Sequence, residues 1–393
     1  MHPRLRNKYL CLDDFETVAR KRLPRQIYGY VSGASERNKA LQDNVDAYGQ
    51  YKFLTNPLRD TSRRSQAVTL LGQTYSCPVG IAPMGINALS GYRGDVVLAQ
   101  AAEEAEVLSI MSGSSLIRME DVARAAGRTW FQAYIPGDLP RIDGLLDRVE
   151  KAGFTQLVVT VDIPVMGNRE NNIRAGFSTP LRPSLRLAYD GLTHPRWLFG
   201  TALRTLLKHG MPHFENSFAT RGAPILSKHV ERDFMQRDHL NWFHIRHIRQ
   251  RWKGGLVVKG LLSPEDAVRA QAEGADGVVL SNHGGRQLDE STSALRVLPE
   301  VRKRVGKGFP LIIDGGIRRG TDVIKALALG ADFTLIGRPF NYAMAAEGPA
   351  GVSHAIALIK SEIDRNMALL GLCSLSEASP ALLVSAPSFF LNR

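Results

Sequence analysis

Cysteine is scarce in this chain of 393 residues: there are three, Cys11, Cys77 and Cys373, widely separated and odd in number. That excludes a disulfide framework, and the lack of any CxxC spacing excludes a dithiol redox pair or a cysteine zinc site. A reduced, intracellular protein is the simple expectation. Long apolar runs are missing as well. None approaches the ~18 residues that suggest a membrane span, and the opening MHPRLRNKYLCLDDFETVARKRL has no apolar centre of the kind a secretion signal needs. Acidic residues are in deficit, 38 Asp plus Glu against 50 Lys plus Arg, for a net charge of +12. Such a surface favours anions: small acids, phosphates, anionic lipid or nucleic acid. Neither GxGxxG nor GxxxxGK[ST] occurs, which excludes the Rossmann and P-loop routes to a phosphate. The pairs His209/His213 and His244/His247 come without HExxH or a third evident ligand, so no metal is expected. The stretch NWFHIRHIRQRWK (241 to 253) mixes aromatics with cations, but it matches no nucleic-acid motif and the charges are spread along the chain. No nucleic-acid partner is expected.

What is present is an ordered series. Eight short apolar runs recur, each bounded by glycine or proline: PVGIAPMG (78 to 85), VLSIMSGS (107 to 114), WFQAYIP (130 to 136), QLVVTVDIP (156 to 164), GLVVKG (255 to 260), GVVLSNHGG (277 to 285), FPLIIDGG (309 to 316) and FTLIGRP (333 to 339). Between them lie amphipathic stretches such as IDGLLDRVEKAG and TDVIKALALGA, which end in glycine where a helix must stop. Eight β-then-α units predict an α/β fold, a (β/α)8 TIM barrel over about residues 76–350 within a single domain spanning 1–393. A doubly wound open sheet produces the same local pattern and is the alternative. Two segments fall outside the alternation. A helical extension precedes the first strand, and an insertion of about 170–240 follows the fourth, far longer than the usual connection of ~2–6 residues.

The runs stay apolar until their last residues and then turn polar or small: Met84-Gly85, Ser112 and Ser114, Gln132 and Tyr134, Thr160 and Asp162, Lys259, His283, Asp314, Gly337-Arg338. In a barrel these ends meet at one rim, where barrel enzymes place their sites. After the last two strands, DGGIRRGTD and IGRP supply glycine amides with Arg318, Arg319 and Arg338, a setting for a phosphate. In SNHGGRQLD (281 to 289), His283 is a side chain suited to accept a proton near neutral pH and Asp162 a carboxylate that can orient it. Arg286 has the fork that grips a carboxylate, so the combination points to an acidic substrate with a removable proton.

These segments, with LVVKG, TVDIP followed by Arg169, and LPRQIYGYVSGASE near the start, resemble the FMN-dependent 2-hydroxy acid oxidising enzymes, the family of glycolate oxidase, flavin-linked lactate dehydrogenase and mandelate dehydrogenase. The resemblance covers about residues 12 to 376. It implies FMN as cofactor and oxidation of an L-2-hydroxy acid, with His283 as base, Asp162 supporting it and Tyr134 bonding the substrate hydroxyl. Tyr30 and Arg286 would bind the substrate carboxylate, with Arg169 adding a second positive charge. For the flavin it implies backbone at Ala82 and Pro83 near the reactive nitrogen, Ser112, Gln132 and Thr160 along the ring, Lys259 at the pyrimidine edge and Asp314 on the ribityl chain. Gly316, Arg318, Gly337 and Arg338 would hold the phosphate. Ser114 stands where glycolate oxidase has a tryptophan, and Gly85 is also small, so a bulkier acid of the mandelate or lactate type is expected. A quinone is the expected electron acceptor, with oxygen, giving hydrogen peroxide, as the alternative. A homo-oligomer, a tetramer, follows from the family. From Arg182 to Lys208, five basic residues (Arg182, Arg186, Arg196, Arg204, Lys208) face one acid, Asp190, interleaved with leucines, Trp197 and Phe199. That stretch suits the surface of an anionic membrane, and a cytoplasmic protein peripheral at the inner face of the cell membrane is expected.

Overall fold

The computed structural model describes residues 4–178, 185–227 and 237–385. Eight parallel strands close into a barrel: β1 (Val79–Ile81), β2 (Leu108–Ser112), β3 (Trp130–Tyr134), β4 (Gln156–Thr160), β5 (Gly255–Leu261), β6 (Gly277–Leu280), β7 (Leu311–Asp314) and β8 (Phe333–Ile336). Each pairs with its neighbours in sequence, and β8 returns to β1 through Thr334↔Val79, Leu335↔Gly80 and Ile336↔Ile81. That last pairing rules out the open sheet. Seven of the eight runs singled out in the sequence contain a whole strand, and β5 extends one residue past GLVVKG to Leu261.

The strands are nearly uniformly apolar because both faces are covered. Val159, Val258, Leu280 and Ile313 face outward into the layer shared with the helices. Ile110, Trp130, Val158, Val257, Val279, Ile312 and Phe333 alternate with them and fill the lumen. The lower end of that lumen is plugged by a hairpin, Val68–Leu70 with Gln73–Tyr75, whose Leu70 and Tyr75 join the same cluster. Between the strands, helices begin at side-chain caps such as Ser263, which accepts from the Asp266 amide just ahead of Pro264, and Ser293, which accepts from Leu295.

Three helices precede the barrel: α1 (Asp14–Arg22), α2 (Arg25–Ser32) and α3 (Lys39–Gly49). The start of the chain docks on the closing helix Arg338–Leu370, where Tyr9 stacks on Phe15 at 4.1 Å and Lys8, Tyr9 and Arg22 converge on Glu347. The long connection after β4 holds helices Glu170–Ala175 and Leu185–Thr193, then the short Pro195–Trp197, a π-helical turn Leu198–Leu203 and Arg204–His209. Trp197 anchors this insertion by donating to the Leu89 carbonyl at 2.6 Å. Of the basic residues expected on it, Arg182 and the side chain of Arg186 lie outside the described residues; Arg196, Arg204 and Lys208 are exposed. Leu185, Tyr189, Leu192, Phe199 and Leu207 are exposed as well, Leu207 by 85% and Phe199 by 65%. Among the described residues no helix is long and apolar enough to cross a membrane.

Candidate active site

Strand alternation builds the site. Continuing each inward row by two residues turns Ile110 into Ser112, Trp130 into Gln132 and then Tyr134, Val158 into Thr160, Val257 into Lys259, Val279 into Ser281 and Ile312 into Asp314. The lumen therefore changes from apolar to polar within a single pleat. Above it opens a cavity of about 540 Å³. Tyr30, Ala82, Pro83, Gly85, Ser114, Tyr134, Arg169, Lys259, His283, Arg286, Asp314, Gly316, Arg318, Gly337 and Arg338 all line it. Ser112, Gln132, Thr160 and Asp162 do not line it; all but Asp162 are buried.

His283 and Asp162 form a pair, with Nδ1 to Oδ1 at 3.0 Å. Gly260 makes room for it. Its φ of +104 sits at an irregularity in the β5–β6 register, and a Cβ there would lie 2.6 Å from Asp162 Cγ. Burial raises the cost of ionising Asp162, yet His283 and Lys259 outweigh it and hold the carboxyl below its ordinary value. Burial is the largest influence on His283 and pulls its pKa below 6.5 against the opposing pull of Asp162. The resting pair is thus a carboxylate and a neutral imidazole, with Nε2 left to accept a proton and Asp162 placed to stabilise the product. Tyr134, its ring centroid 6.5 Å from that of His283, is pushed up to about 12 by burial and by Asp162, so its hydroxyl remains a donor.

Two arginines face this pair. Arg286 spends Nη1 on the carbonyls of Tyr30 (2.7 Å) and Gly33 (2.8 Å), while Nη2 is buried with no hydrogen-bond partner. The fork read from sequence is therefore half committed to backbone. Arg169 donates to the Arg286 carbonyl (3.1 Å) and to Gln287 Oε1 (2.8 Å). Burial, then Arg286, pull Arg169 down to about 10. Two cations held this close in a buried site favour an anion between them. The small wall read from sequence is also here, since a Cβ on Gly85 would sit 3.1 Å from Ser114 Cβ and 3.3 Å from Tyr30 Oη.

Deeper in, Lys259 donates to Ser281 Oγ at 2.8 Å and pairs with Asp314 Oδ2 at 3.0 Å. Burial opposes the ammonium, but Asp314 and Asp162 keep its pKa above the ordinary value. Gln132 Nε2, Thr160 Oγ1 and Asp314 Oδ1 are buried and have no hydrogen-bond partner. A ring of such orphaned groups below a rim of glycines is what a polar, planar ligand would satisfy. Arg338 is pulled down to about 9 by burial and by Arg286, and it also gives Nε to the Val31 carbonyl and Nη2 to those of Gly33 and Gly284. Arg319 does not reach the cavity: its side chain pairs with Glu362 at 2.9 Å, so of the adjacent arginines in GGIRRG only Arg318 turns inward.

Sequence reasoning missed several lining residues. Ile163 and Met166 continue the TVDIP segment and were legible as part of a strand end; Phe214 and Arg237 come from the insertion, with no period to mark them. Ser281, the partner of Lys259, opens the SNHGG motif itself. The histidines weighed as ligands are otherwise engaged: His209 with Tyr92, His213 with the Met211 carbonyl, His244 in the cap at Asn241 and His247 with Asp143. Among the described residues no group of three potential ligands gathers for a metal.

A closed eight-stranded barrel whose cavity, at the carboxyl ends of its strands, gathers arginines beside a histidine–aspartate pair is the frame of a barrel enzyme that takes an anionic substrate. The family described as FMN-dependent dehydrogenase matches residues 19–385, and the chain belongs to it. Its cofactor is accordingly FMN. The (S)-mandelate dehydrogenase of Pseudomonas putida is 38% identical over 378 residues, covering 94% of this chain and 92% of that protein. An L-lactate dehydrogenase of Stenotrophomonas maltophilia (strain K279a) is 38% identical over 378 residues, 95% of this chain and 98% of its own. The crystal structure of the monotopic membrane protein (S)-mandelate dehydrogenase superposes with a TM-score of 0.88 at 37% identity, covering 96% of this chain and all of that one (100%).

Proposed function

We propose that the chain oxidises an L-2-hydroxy acid with a bulky substituent, of the mandelate type, to the 2-oxo acid, with L-lactate as the rival substrate. The observation that carries it is His283, backed by Asp162, facing Arg286, Arg169, Tyr30 and Tyr134 in one cavity. Arg286 Nη2, Arg169 and the Tyr30 hydroxyl hold the substrate carboxylate. Tyr134 donates to the hydroxyl oxygen, and His283 Nε2 accepts the proton that the substrate loses, the resulting imidazolium being stabilised by Asp162. FMN, when bound, would take up the two electrons released together with the second proton that the oxidation sets free. The orphaned Gln132, Thr160 and Asp314 groups suit its ring and chain, Ser112 orients Gln132 through a 3.0 Å bond to Oε1, and Ala82 and Pro83 offer backbone at the ring edge. Lys259 supplies positive charge where reduction adds negative charge. Arg318, Arg338 and the amides of Gly316 and Gly337 suit the phosphate.

Gly85 and Ser114 leave one side of the cavity without a large side chain, and an aromatic substituent filling it gains about 25 cal/mol per Å2 buried. Met84 also lines the cavity and, being flexible, takes up part of the same space. The electron acceptor is read as a membrane quinone, with oxygen as the alternative, from the exposed apolar side chains of the insertion flanked by Arg196, Arg204 and Lys208, and from the likeness to a monotopic membrane protein. The chain would then sit on the inner face of the cell membrane, assembled as a tetramer.

The test is anaerobic mixing of the purified yellow protein with a panel of L-2-hydroxy acids while the flavin absorbance is followed. Bleaching by mandelate faster than by lactate or glycolate is the expected outcome, and no bleaching by any 2-hydroxy acid ends the reading. Cosedimentation with anionic vesicles at low salt, together with slow reoxidation by oxygen, supports the membrane acceptor; failure to sediment and rapid reoxidation replace it with oxygen.

A further inference from the structure

The loop that carries His283 is held in a conformation its residues do not favour. His283, Gly284 and Gly285 follow one another at φ of +58, +64 and +75. For the glycines this costs little, but a histidine there is displaced from its preferred regions. Something must over-determine the turn, and the bonds around Asn282 show what does. Its Oδ1 accepts from the Gly285 amide at 3.1 Å, spanning His283, and its Nδ2 donates to the Thr292 carbonyl at 3.1 Å. The same amide group exchanges two bonds with Asn44 of α3, 238 residues away: Asn44 Nδ2 to Asn282 Oδ1 at 2.8 Å, and Asn282 Nδ2 to Asn44 Oδ1 at 3.0 Å. Asn44 is fully buried. Turning either amide over would set oxygen against oxygen and nitrogen against nitrogen, so each fixes the other.

Asn44 also meets the loop after β7. A side chain on Gly316 would run into the Asn44 carbonyl oxygen, and a Cβ on Gly315 would lie 3.2 Å from the Asn44 amide carbon. We propose that Asn44 is a positioning residue: through Asn282 it holds the His283 turn in its left-handed form, and through its packing on Gly315–Gly316 it ties the aim of the base to the loop read as holding the flavin phosphate. This rests on the reading of His283 as the base.

The experiment compares Asn44→Asp, Asn44→Ala, Asn282→Ala and the double alanine variant, each purified with its flavin. Asn44→Asp keeps the volume, but its carboxyl can donate to Asn282 Oδ1 only when protonated. Its turnover should therefore fall about 10–100-fold at neutral pH, as expected for a misplaced catalytic group, and its ratio to wild type should climb as pH is lowered. FMN content and the binding of the 2-oxo acid product should stay at wild-type values. The two alanine changes should not add, the double variant lying within about twofold of the weaker single. Full activity of Asn44→Asp at neutral pH, a ratio that does not change with pH, or additive losses would overturn the proposal. So would loss of FMN or of folded protein in both Asn44 variants, which would assign Asn44 to the fold alone. An active His283→Asn enzyme would instead sink the base assignment, whatever the Asn44 variants do.

Discussion

The two ends of the barrel lumen are built from the same strand faces, yet they do opposite things. At the lower end Trp130, Val257, Ile312 and Phe333 interlock with Leu70 and Tyr75 of the plugging hairpin, Tyr75 meeting Phe333 edge-on at 5.5 Å. Two residues further along three of those strands, the inward positions are Gln132, Lys259 and Asp314, and Gln132 Nε2 and Asp314 Oδ1 have no hydrogen-bond partner. One end stabilises; the other spends stability on keeping charge and unmet hydrogen-bonding capacity out of water. Because a single pleat separates them, substitutions should sort cleanly by end.

The largest expected effect is at the upper end. His283→Asn, chosen because asparagine tolerates the left-handed backbone at this position, removes the proposed base without straining the turn. Turnover should fall by roughly two to four powers of ten while the protein stays yellow and its melting temperature holds. A variant that melts early with activity in proportion would erase the distinction between the ends. The mirror experiment is Phe333→Ala at the lower end. Emptying a fully buried aromatic site should cost about 3–5 kcal/mol of stability, read by denaturant titration, with KM unchanged at a temperature where the variant is folded.

A pH series sharpens the upper end further. Since His283 is held below its ordinary value and, as the proposed base, has to be neutral to accept a proton, kcat/KM should be full above its pKa and decline as pH falls through it, at a point below 6.5. Asp162 is the main influence holding that pKa up. Asp162→Asn should therefore move the acid limb to still lower pH and reduce the plateau roughly 10²-fold, because the imidazolium loses its counter-charge. An acid limb that moves upward, or a plateau left intact, would mean that the pair does not work as a unit.

The same contrast decides what could be read without coordinates. The barrel was legible because its strands announce themselves as apolar runs with helices between, and the rim was legible because each run ends in a polar residue. Pairings across the lumen were not. Lys259 and Asp314 stand on β5 and β7, which share no ladder, so no spacing in the chain links them. Nor does anything in the dipeptide Arg318-Arg319 say which arginine turns inward; that is settled by Glu362 on a helix more than forty residues on, the partner of Arg319. Asn44 is a lone polar residue on the buried side of a helix, a place where pattern predicts an apolar one. Phe214 and Arg237 reach the cavity from an insertion whose course no periodicity fixes.

The smallest expected effect is one of selectivity, and it tests whether the upper end has a shape as well as a chemistry. Ser114 lies against Gly85, and Gly85 against the Tyr30 hydroxyl, so an indole at 114 would fill the space beside the groups proposed to bind the carboxylate without replacing any of them. Overpacking would exclude a phenyl substituent while sparing a methyl. Ser114→Trp should therefore lower kcat/KM for mandelate relative to lactate by at least about tenfold, the range in which pocket contacts discriminate between substrates. Lactate turnover and melting temperature should change little, since the site lies above the packed layer of the lumen. Equal losses on both substrates would place the substituent elsewhere in the cavity, toward Met166 and Phe214, and would move the search for specificity from the strand ends to the insertion.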